Sequence, residues 1–422
     1  MANYVIDFIE EHNILYTKQF GFRKAHSTSH AIITLVEKVS RALDTGKIIV
    51  GVFLDLKKAF DTVDHDILLD KLYAYGIRDN IHLWFKSYLT NRKQFVSYND
   101  SKSDIKDITH GVPQGSILGP LLFILYINDF SRASDLLFSI LFADDTSVFI
   151  EGQCYNGVIE TLNNELKKVD DWLKSNKLTL NVKKTHFMVF HRSKIKGIKN
   201  ALKLQDIIID EVTSFKFLGV IIDHKLKWHD HITYIKNKIS KSIGIMYKAR
   251  KYVDKQTLNN SYHTFIFPYL IYCNEVWGNA CQVHLDPLVK LQKKIIRIMT
   301  FSEYDAHTAP LFSRLNILDL NKLVIHRIAL LMFKNSKDTL PLPVSELLKK
   351  NSDVHGHHTR NSSSLYSQYG ASEATHANFS FHGVHIWNKL GNKIDNNVSY
   401  ACFKNLSKLY IQSHEIEYRL RT

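Results

Sequence analysis

The sequence predicts an α+β fold: a mostly antiparallel sheet packed by helices, followed by a region that is helical and basic. Three observations predict it. Strand-length apolar runs and helical stripes interleave over residues 46–222, as they do where helices cover a sheet. Beyond Asp223 the pattern turns to amphipathic helices with lysines along one side. A chain of 422 residues also exceeds what one compact core holds, so two or three domains are expected.

The elements follow in order. Residues 1–45 read as two helices joined by a Gly-containing turn. Ile48-Ile49-Val50-Gly51-Val52-Phe53-Leu54 is β-branched, aromatic and uncharged, as a strand buried on both faces would be, and it ends in Asp55. Leu68, Leu69, Leu72 and Tyr75 recur at helical spacing, and Leu83-Trp84 falls on a later turn. Tyr98-Asn99-Asp100 suggests a hairpin turn, and the strand after it runs into Gly111-Val112-Pro113-Gln114-Gly115-Ser116. A very apolar helix is expected from Leu121 to Phe130. Two strand-length runs, Leu136–Leu141 and Ser147–Ile150, then flank Phe142-Ala143-Asp144-Asp145.

Val158, Leu162, Leu166, Val169 and Leu173 form a helix stripe. Strands are expected at Thr185–Phe190, Ile207–Ile209 and Phe215–Ile222. Ile232, Ile235, Ile239, Ile243 and Met246 mark one face of a helix whose other face carries Lys236, Lys238, Lys241 and Lys248. A second helix precedes Pro268, and a third, equally basic, runs Pro287–Met299. Past residue 300 a Leu/Ile-rich helical pattern covers Leu311–Phe333. A polar loop is expected at about 351–380, and its His355, His357 and His358 lack the convergent Cys or carboxylate that a metal site would need. No internal repeat is found.

Composition narrows the class. Hydrophobic residues at 45% with 12% aromatics describe a globular chain. The longest apolar stretch of the motif region, Leu121–Ile127, is far short of the roughly 20 residues a membrane span requires. The start, with acidic neighbours around Tyr4-Val5 and Phe8-Ile9, does not read as a signal peptide. Cys154, Cys273, Cys281 and Cys402 form no CxxC pair, which argues for a reducing compartment and against structural zinc. The net charge is +14, and residues 181–300 hold 21 Lys+Arg against 8 Asp+Glu, nearly the whole surplus. A polyanion held through its phosphates is the expected partner.

Two adjacent carboxylates at the tip of a short hairpin with hydrophobic flanks are costly unless a cation neutralises them. With Asp55 at the end of another buried strand, Asp144 and Asp145 suggest a site for two divalent, oxygen-loving ions.

Phe53-Leu54-Asp55-Leu56-Lys57-Lys58-Ala59-Phe60-Asp61, then His110-Gly111-Val112-Pro113-Gln114-Gly115-Ser116, then Phe142-Ala143-Asp144-Asp145 resemble, in order and spacing, the palm of a reverse transcriptase. The variant resembles that of non-LTR (LINE-type, jockey-like) retrotransposons. Gln19-Phe20-Gly21-Phe22-Arg23 with His26-Ser27-Thr28 is similar to that family's block before the catalytic strand. Asn181-Val182-Lys183-Lys184-Thr185 is similar to its motif D, and Phe217-Leu218-Gly219 to its primer grip. Val276-Trp277-Gly278-Asn279 and Ile386-Trp387-Asn388-Lys389-Leu390 extend the likeness, which spans about residues 4–410.

The resemblance implies a right-hand polymerase: partial fingers at 1–45, palm at 46–222, a basic helical thumb at 223–300 and a helical C-terminal region at 301–422. It implies RNA-directed DNA synthesis. Asp55, Asp144 and, less directly, Asp145 would hold two Mg²⁺ ions, with Mn²⁺ as a substitute. Phe60 would stack under the incoming sugar and exclude a 2′-hydroxyl; Leu56, Gln114 and Gly115 would line the nucleotide site. Lys184, chosen over Lys183 by the Asn-x-x-Lys-Thr spacing, would serve the pyrophosphate. Phe217, Leu218 and Gly219 would press on the primer strand, and the basic helices would follow an RNA–DNA hybrid. Asp61, Asp64 and Asp66 are expected to be surface or capping residues.

The implied partners are an RNA template, a DNA primer or target and dNTP, with no membrane. The implied location is intracellular, nucleus and cytoplasm. The chain departs from the family in lacking an Arg-Pro-Ile block ahead of Gln19, an endonuclease domain and a Cys-rich knuckle. It therefore reads as N-terminally truncated, with target nicking supplied elsewhere. The rival reading is a truncated element product that binds nucleic acid without polymerising. A viral RNA-dependent RNA polymerase is disfavoured by Phe60, which stands where an acidic residue would recognise ribose, and an intron maturase by the absence of a matching tail.

Overall fold

The structure, a computed structural model, describes residues 1–192, 201–354, 364–367, 378–390 and 393–416. The α+β class is as expected, and the chain divides into two compact units. The first joins Met1–Ser27 to Gly46–Val212; the second joins Thr28–Thr45 to Thr213–Thr422.

The first unit is built on a five-stranded sheet. Its strands lie in the order Asp210–Glu211, His186–Phe190, Ile48–Leu54, Asp145–Gly152, Phe138–Phe142. All neighbours pair antiparallel except Asp210–Glu211, which runs parallel to His186–Phe190. Ile48–Leu54 is the middle strand and is buried from Ile49 onward, which is why its sequence has no polar alternation. Gly51 lies under the Phe149 ring: a Cβ there would stand 2.4 Å from Phe149 Cε1.

The apolar segment expected as a helix from Leu121 to Phe130 is a helix over Leu118–Tyr126, closed by a 3₁₀ segment at Asn128–Ala133. Asn128 ties that segment to the chain after the first helix, Ala2–Glu11. Its Oδ1 accepts from Tyr16 N (2.7 Å) and its Nδ2 donates to the Ile14 carbonyl (2.9 Å). The helix Leu118–Tyr126 is buried at every position but Pro120, in keeping with a sequence that is hydrophobic all round. Tyr155–Ser175, the expected Val158–Leu173 stripe, packs on the sheet and buries that stripe. Between the helix Asp79–Leu89 and residue 110 stand two small ribbons, Arg92–Gln94 with Lys106–Ile108 and Ser97–Tyr98 with Ser101–Lys102. The second turns at Asn99 (φ +51), where the sequence placed a hairpin.

The second unit is mainly helical. The helix Thr28–Asp44 belongs to it and is buried on most of its surface. The helix His229–Ala249 buries Ile232, Ile235, Ile239, Ile243 and Met246 and leaves Lys236, Lys238, Lys241 and Lys248 exposed. The basic helix expected to start at Pro287 begins at Gln282 and runs to Thr300. Proline ordinarily ends a helix from within, but here the chain forgoes one hydrogen bond and continues. The run Phe215–Ile222, expected as one strand, is a hairpin of Ser214–Phe217 and Val220–Asp223 turning at Leu218 (φ +46) and Gly219 (φ +84). Two successive left-handed residues fit a two-residue hairpin loop, a signal masked because Leu218 is not a customary turn residue.

No described helix is long and apolar enough to cross a membrane. His355, His357 and His358 lie outside the described residues.

Candidate active site

Strand register assembles the acidic cluster. Leu54 is paired with Thr146, so Asp55, one residue on, stands across from Asp145. Phe142 and Asp145 close the neighbouring hairpin, and Ala143-Asp144 is its two-residue turn. Carboxylates from two distant stretches of sequence, Asp55 and the Asp144-Asp145 doublet, thus share one end of the sheet. Their mutual effect is visible at Asp145, whose pKa is raised to about 6 by burial, then by Asp144, then by Asp55. Among the described residues, no three His, Cys, Asp or Glu side chains are gathered in a way that could hold a metal ion. Three like charges without a counter-ion repel, and Mg²⁺ ordinarily completes its shell with water and substrate phosphate instead of an all-protein cage. The donor set, all carboxylate oxygen with one proton held abnormally tightly, fits a hard divalent cation.

The raised pKa has a consequence for stability. An Asp with a folded pKa above its unfolded value of about 3.9 contributes its full share below that value and loses it as pH rises through about 6. The ionised group therefore strains the metal-free fold at neutral pH. A rise of that size corresponds to about 3 kcal/mol, but Asp145 as a whole residue is exposed even though its carboxyl is partly shielded from water, and solvent screening reduces the expectation to about 1 kcal/mol. Asp145→Asn is expected to be more stable than wild type by that amount at pH 7.5 in metal-free buffer. At pH 4 the two should coincide, as urea denaturation would show.

The loop carrying Lys184 hangs from the strand of Asp55. Asn181 N donates to the Asp55 carbonyl (2.7 Å) and Lys57 N to the Thr179 carbonyl (2.8 Å), with Leu56 bridged to Leu180. Thr185 Oγ1 accepts from Asp55 N (3.4 Å) and donates to the Asn181 carbonyl (3.1 Å). Lys183 and Lys184 are both exposed.

The segment bearing Gln114 and Gly115 is zipped to the one bearing Phe60. Val112 N donates to the Phe60 carbonyl (2.9 Å) and Gly111 N to the Val63 carbonyl (2.7 Å). His65 Nε2 meets the Gly111 carbonyl at 2.8 Å, which fixes the proton on that nitrogen. Gln114 Nε2 donates to Asp61 Oδ1 (2.7 Å). Asp61, expected as a surface or capping residue, is thus the tether of Gln114; nothing in the local sequence signals a bond spanning 53 positions. Asp64 does cap: it accepts from Asp66 N and Ile67 N at the start of His65–Ala74 and pairs with Lys177 (2.6 Å). Gly115, at φ +80, faces open space. Phe60 is half-buried, stacked on Phe123 (4.4 Å between centroids) and edge-on to Phe22 (6.2 Å).

In the second unit, Phe217 is buried, and Leu218 and Gly219, at the hairpin turn, are half-buried. Tyr272, which the sequence did not single out, holds that turn. Its hydroxyl donates to the Leu218 carbonyl (2.7 Å), and its ring lies 3.1 Å from where a Gly219 Cβ would stand.

Residues 1–222 match the family described as Reverse transcriptase (RNA-dependent DNA polymerase). The chain is similar to the RNA-directed DNA polymerase from mobile element jockey of Drosophila melanogaster, 30% identical over 66% of this chain and 31% of that protein. It is also similar to the probable RNA-directed DNA polymerase from transposon X-element of the same fly, 27% identical over 71% of this chain and 34% of that protein. The chain spans about a third of the length of these relatives. Among solved structures, apo telomerase from Candida Tropicalis aligns with 97% of this chain and 61% of that one, at 10% identity and a TM-score of 0.43. That likeness is too slight to bear on the fold.

Proposed function

The chain belongs to the reverse transcriptase family, and from that premise we propose that it is the RNA-directed DNA polymerase portion of a non-LTR retrotransposon protein. It extends a primer 3′-hydroxyl with dNTP on an RNA template. The observation that carries the reading is the register placing Asp55 across from Asp145 beside the Ala143-Asp144 turn. The five-stranded sheet is then the palm, residues 1–45 contribute to the fingers, 223–300 are the thumb, and 301–422 extend it.

Asp55 and Asp144, with Asp145 less directly, would hold two Mg²⁺ ions, or Mn²⁺ in their place. Bound there, they would lower the pKa of the attacking hydroxyl and neutralise the triphosphate and departing pyrophosphate. The remaining work is positioning. Phe60, backed by Phe123, lies under the sugar and leaves no room for a 2′-hydroxyl. Leu56, Gln114 and Gly115 line the nucleotide site, with Gln114 steadied by Asp61. Lys184 delivers a proton to pyrophosphate. Leu218-Gly219, with Phe217 packed behind them, bear on the primer. The exposed lysines of His229–Ala249 follow the backbone of the hybrid, with binding that weakens as salt rises. The partners are an RNA template, a DNA primer or target and dNTP, in nucleus and cytoplasm, with nicking supplied by another domain or protein.

Primer extension on poly-rA/oligo-dT with Mg²⁺ tests this. Wild type should incorporate dTTP, and Asp144→Ala should lose at least about 10³-fold while melting normally, since removing charge stabilisation at a reacting centre costs on that order. Incorporation that persists in Asp144→Ala overturns the assignment. A second reading, hybrid binding without polymerisation, draws support from the exposed lysines of His229–Ala249, which need no metal site to hold a phosphate backbone. Retention of the hybrid with no incorporation by wild type would establish it.

A further inference from the structure

Gln19 is fully buried, in a segment that lies along the outer hairpin strand Phe138–Phe142. Leu141 N donates to the Lys18 carbonyl (3.0 Å), Phe20 N donates to the Leu141 carbonyl (2.8 Å), and Gln19 makes a single parallel bridge to Leu141. From there its side chain reaches the turn. Gln19 Oε1 accepts from Ala143 N (3.1 Å) and from Gly21 N (3.0 Å). Ala143 immediately precedes the acidic doublet and sits at φ +57, a left-handed conformation that is strained for a non-glycine residue. It holds this conformation in a turn where buried backbone N–H groups need acceptors. Gly21 lies flat against the same turn: a Cβ there would stand 2.4 Å from Ala143 N and 2.9 Å from Phe142 C.

We propose that Gln19 is a positioning residue for the acidic doublet: its amide oxygen holds the strained Ala143 turn in the geometry that lets Asp144 and Asp145 bind divalent metal. This rests on the polymerase reading above for its place in catalysis, but its physical content is metal affinity. A partner that orients metal-binding carboxylates typically changes affinity 10–100-fold when removed. Only the oxygen is used. Gln19 Nε2 is buried with no hydrogen-bond partner among the described residues, so a neutral carboxyl group, the form that full burial beside Asp144 and Asp145 favours, keeps the acceptor and breaks no bond on that side.

The test uses the full chain and Mn²⁺ as the probe, with free Mn²⁺ read by electron paramagnetic resonance. Gln19→Met, similar in length but without an acceptor, should bind Mn²⁺ at least tenfold more weakly than wild type. In primer extension its kcat should fall about tenfold or more, with KM for dTTP within twofold. Gln19→Glu, which keeps an acceptor oxygen, should recover most of both. Wild-type Mn²⁺ affinity in a Gln19→Met protein that merely melts earlier would reduce the residue to a packing role and overturn the proposal. So would Gln19→Glu failing as badly as Gln19→Met, or wild type binding no Mn²⁺. Wild type that binds Mn²⁺ but never extends a primer would defeat the polymerase reading and leave the Mn²⁺ comparison to decide for Gln19.

Discussion

Gly111→Ala is expected to destabilise the first unit by about 2–5 kcal/mol and to raise KM for dNTP in primer extension at least tenfold. Two separate costs add. Gly111 is at φ +86, where a Cβ is disfavoured by about 1–2 kcal/mol. That Cβ would also stand 2.8 Å from the Asp61 carbonyl oxygen and 2.9 Å from Asp61 Cα, backbone that cannot swing aside as a side chain would. Overpacking of this kind costs about 1–3 kcal/mol. The displaced stretch is the one that pairs Gly111 and Val112 with Val63 and Phe60, so the loop bearing Gln114 shifts relative to the Phe60 ring. Urea denaturation measures the first effect and steady-state dTTP titration the second. A variant as stable as wild type with unchanged KM would show that the zipper does not set the nucleotide site.

Glu37→Ala is expected to cost about 3 kcal/mol, while Glu37→Gln costs nothing at pH 4 and gains stability at pH 8. Glu37 is 2% exposed on Thr28–Asp44, and its carboxylate accepts from Ser380 N (2.7 Å), Ser380 Oγ (2.9 Å) and Asn378 Nδ2 (3.4 Å) at the start of the helix Phe379–Leu390. Alanine leaves those buried donors without an acceptor, at about 1–3 kcal/mol for each group truly stranded. Gln keeps an acceptor and removes the charge. Burial raises the Glu37 pKa more than the Ser380 bonds and Arg41 lower it. A raised carboxyl contributes fully below its unfolded pKa of about 4.3 and less as pH climbs through its folded value. Glu37→Gln should therefore match wild type at pH 4 and exceed it at pH 8. The urea midpoints of the three proteins at the two pH values check both claims; an alanine variant at least as stable as wild type would refute the first.

Much of the first unit was legible because burial leaves a simple trace. The uncharged run from Ile48 to Leu54 is the middle strand, and the two runs around Phe142-Ala143-Asp144-Asp145 form the hairpin. Once both strands end in Asp, antiparallel register does the rest. What escaped were interactions with no periodicity. Asp61 binding Gln114, Tyr272 holding the Leu218-Gly219 turn and Gln19 reaching Ala143 are single hydrogen bonds between distant positions. Glu37 misleads for a related reason: a lone Glu on a helix ordinarily faces water, and the three donors brought up from residues 378–380, with Arg41 one turn on, make its burial tolerable. The helix begun before Pro287 misleads because proline's preference was overridden by packing of the surrounding turn.

The helix Thr28–Asp44 is enclosed by segments made much later, yet the chain enters it directly after Ser27 and leaves it directly before Gly46. No cut at 212/213 therefore separates two self-sufficient pieces. A polypeptide ending there would display an apolar helix stripped of its wrapping and prone to aggregate. During translation the same helix leaves the ribosome more than 300 codons ahead of Ser380, so the nascent chain carries a sticky, charge-bearing segment until residues 378–380 have emerged. An exposed segment of this kind is where a nascent chain of this interleaved topology is most open to aggregation.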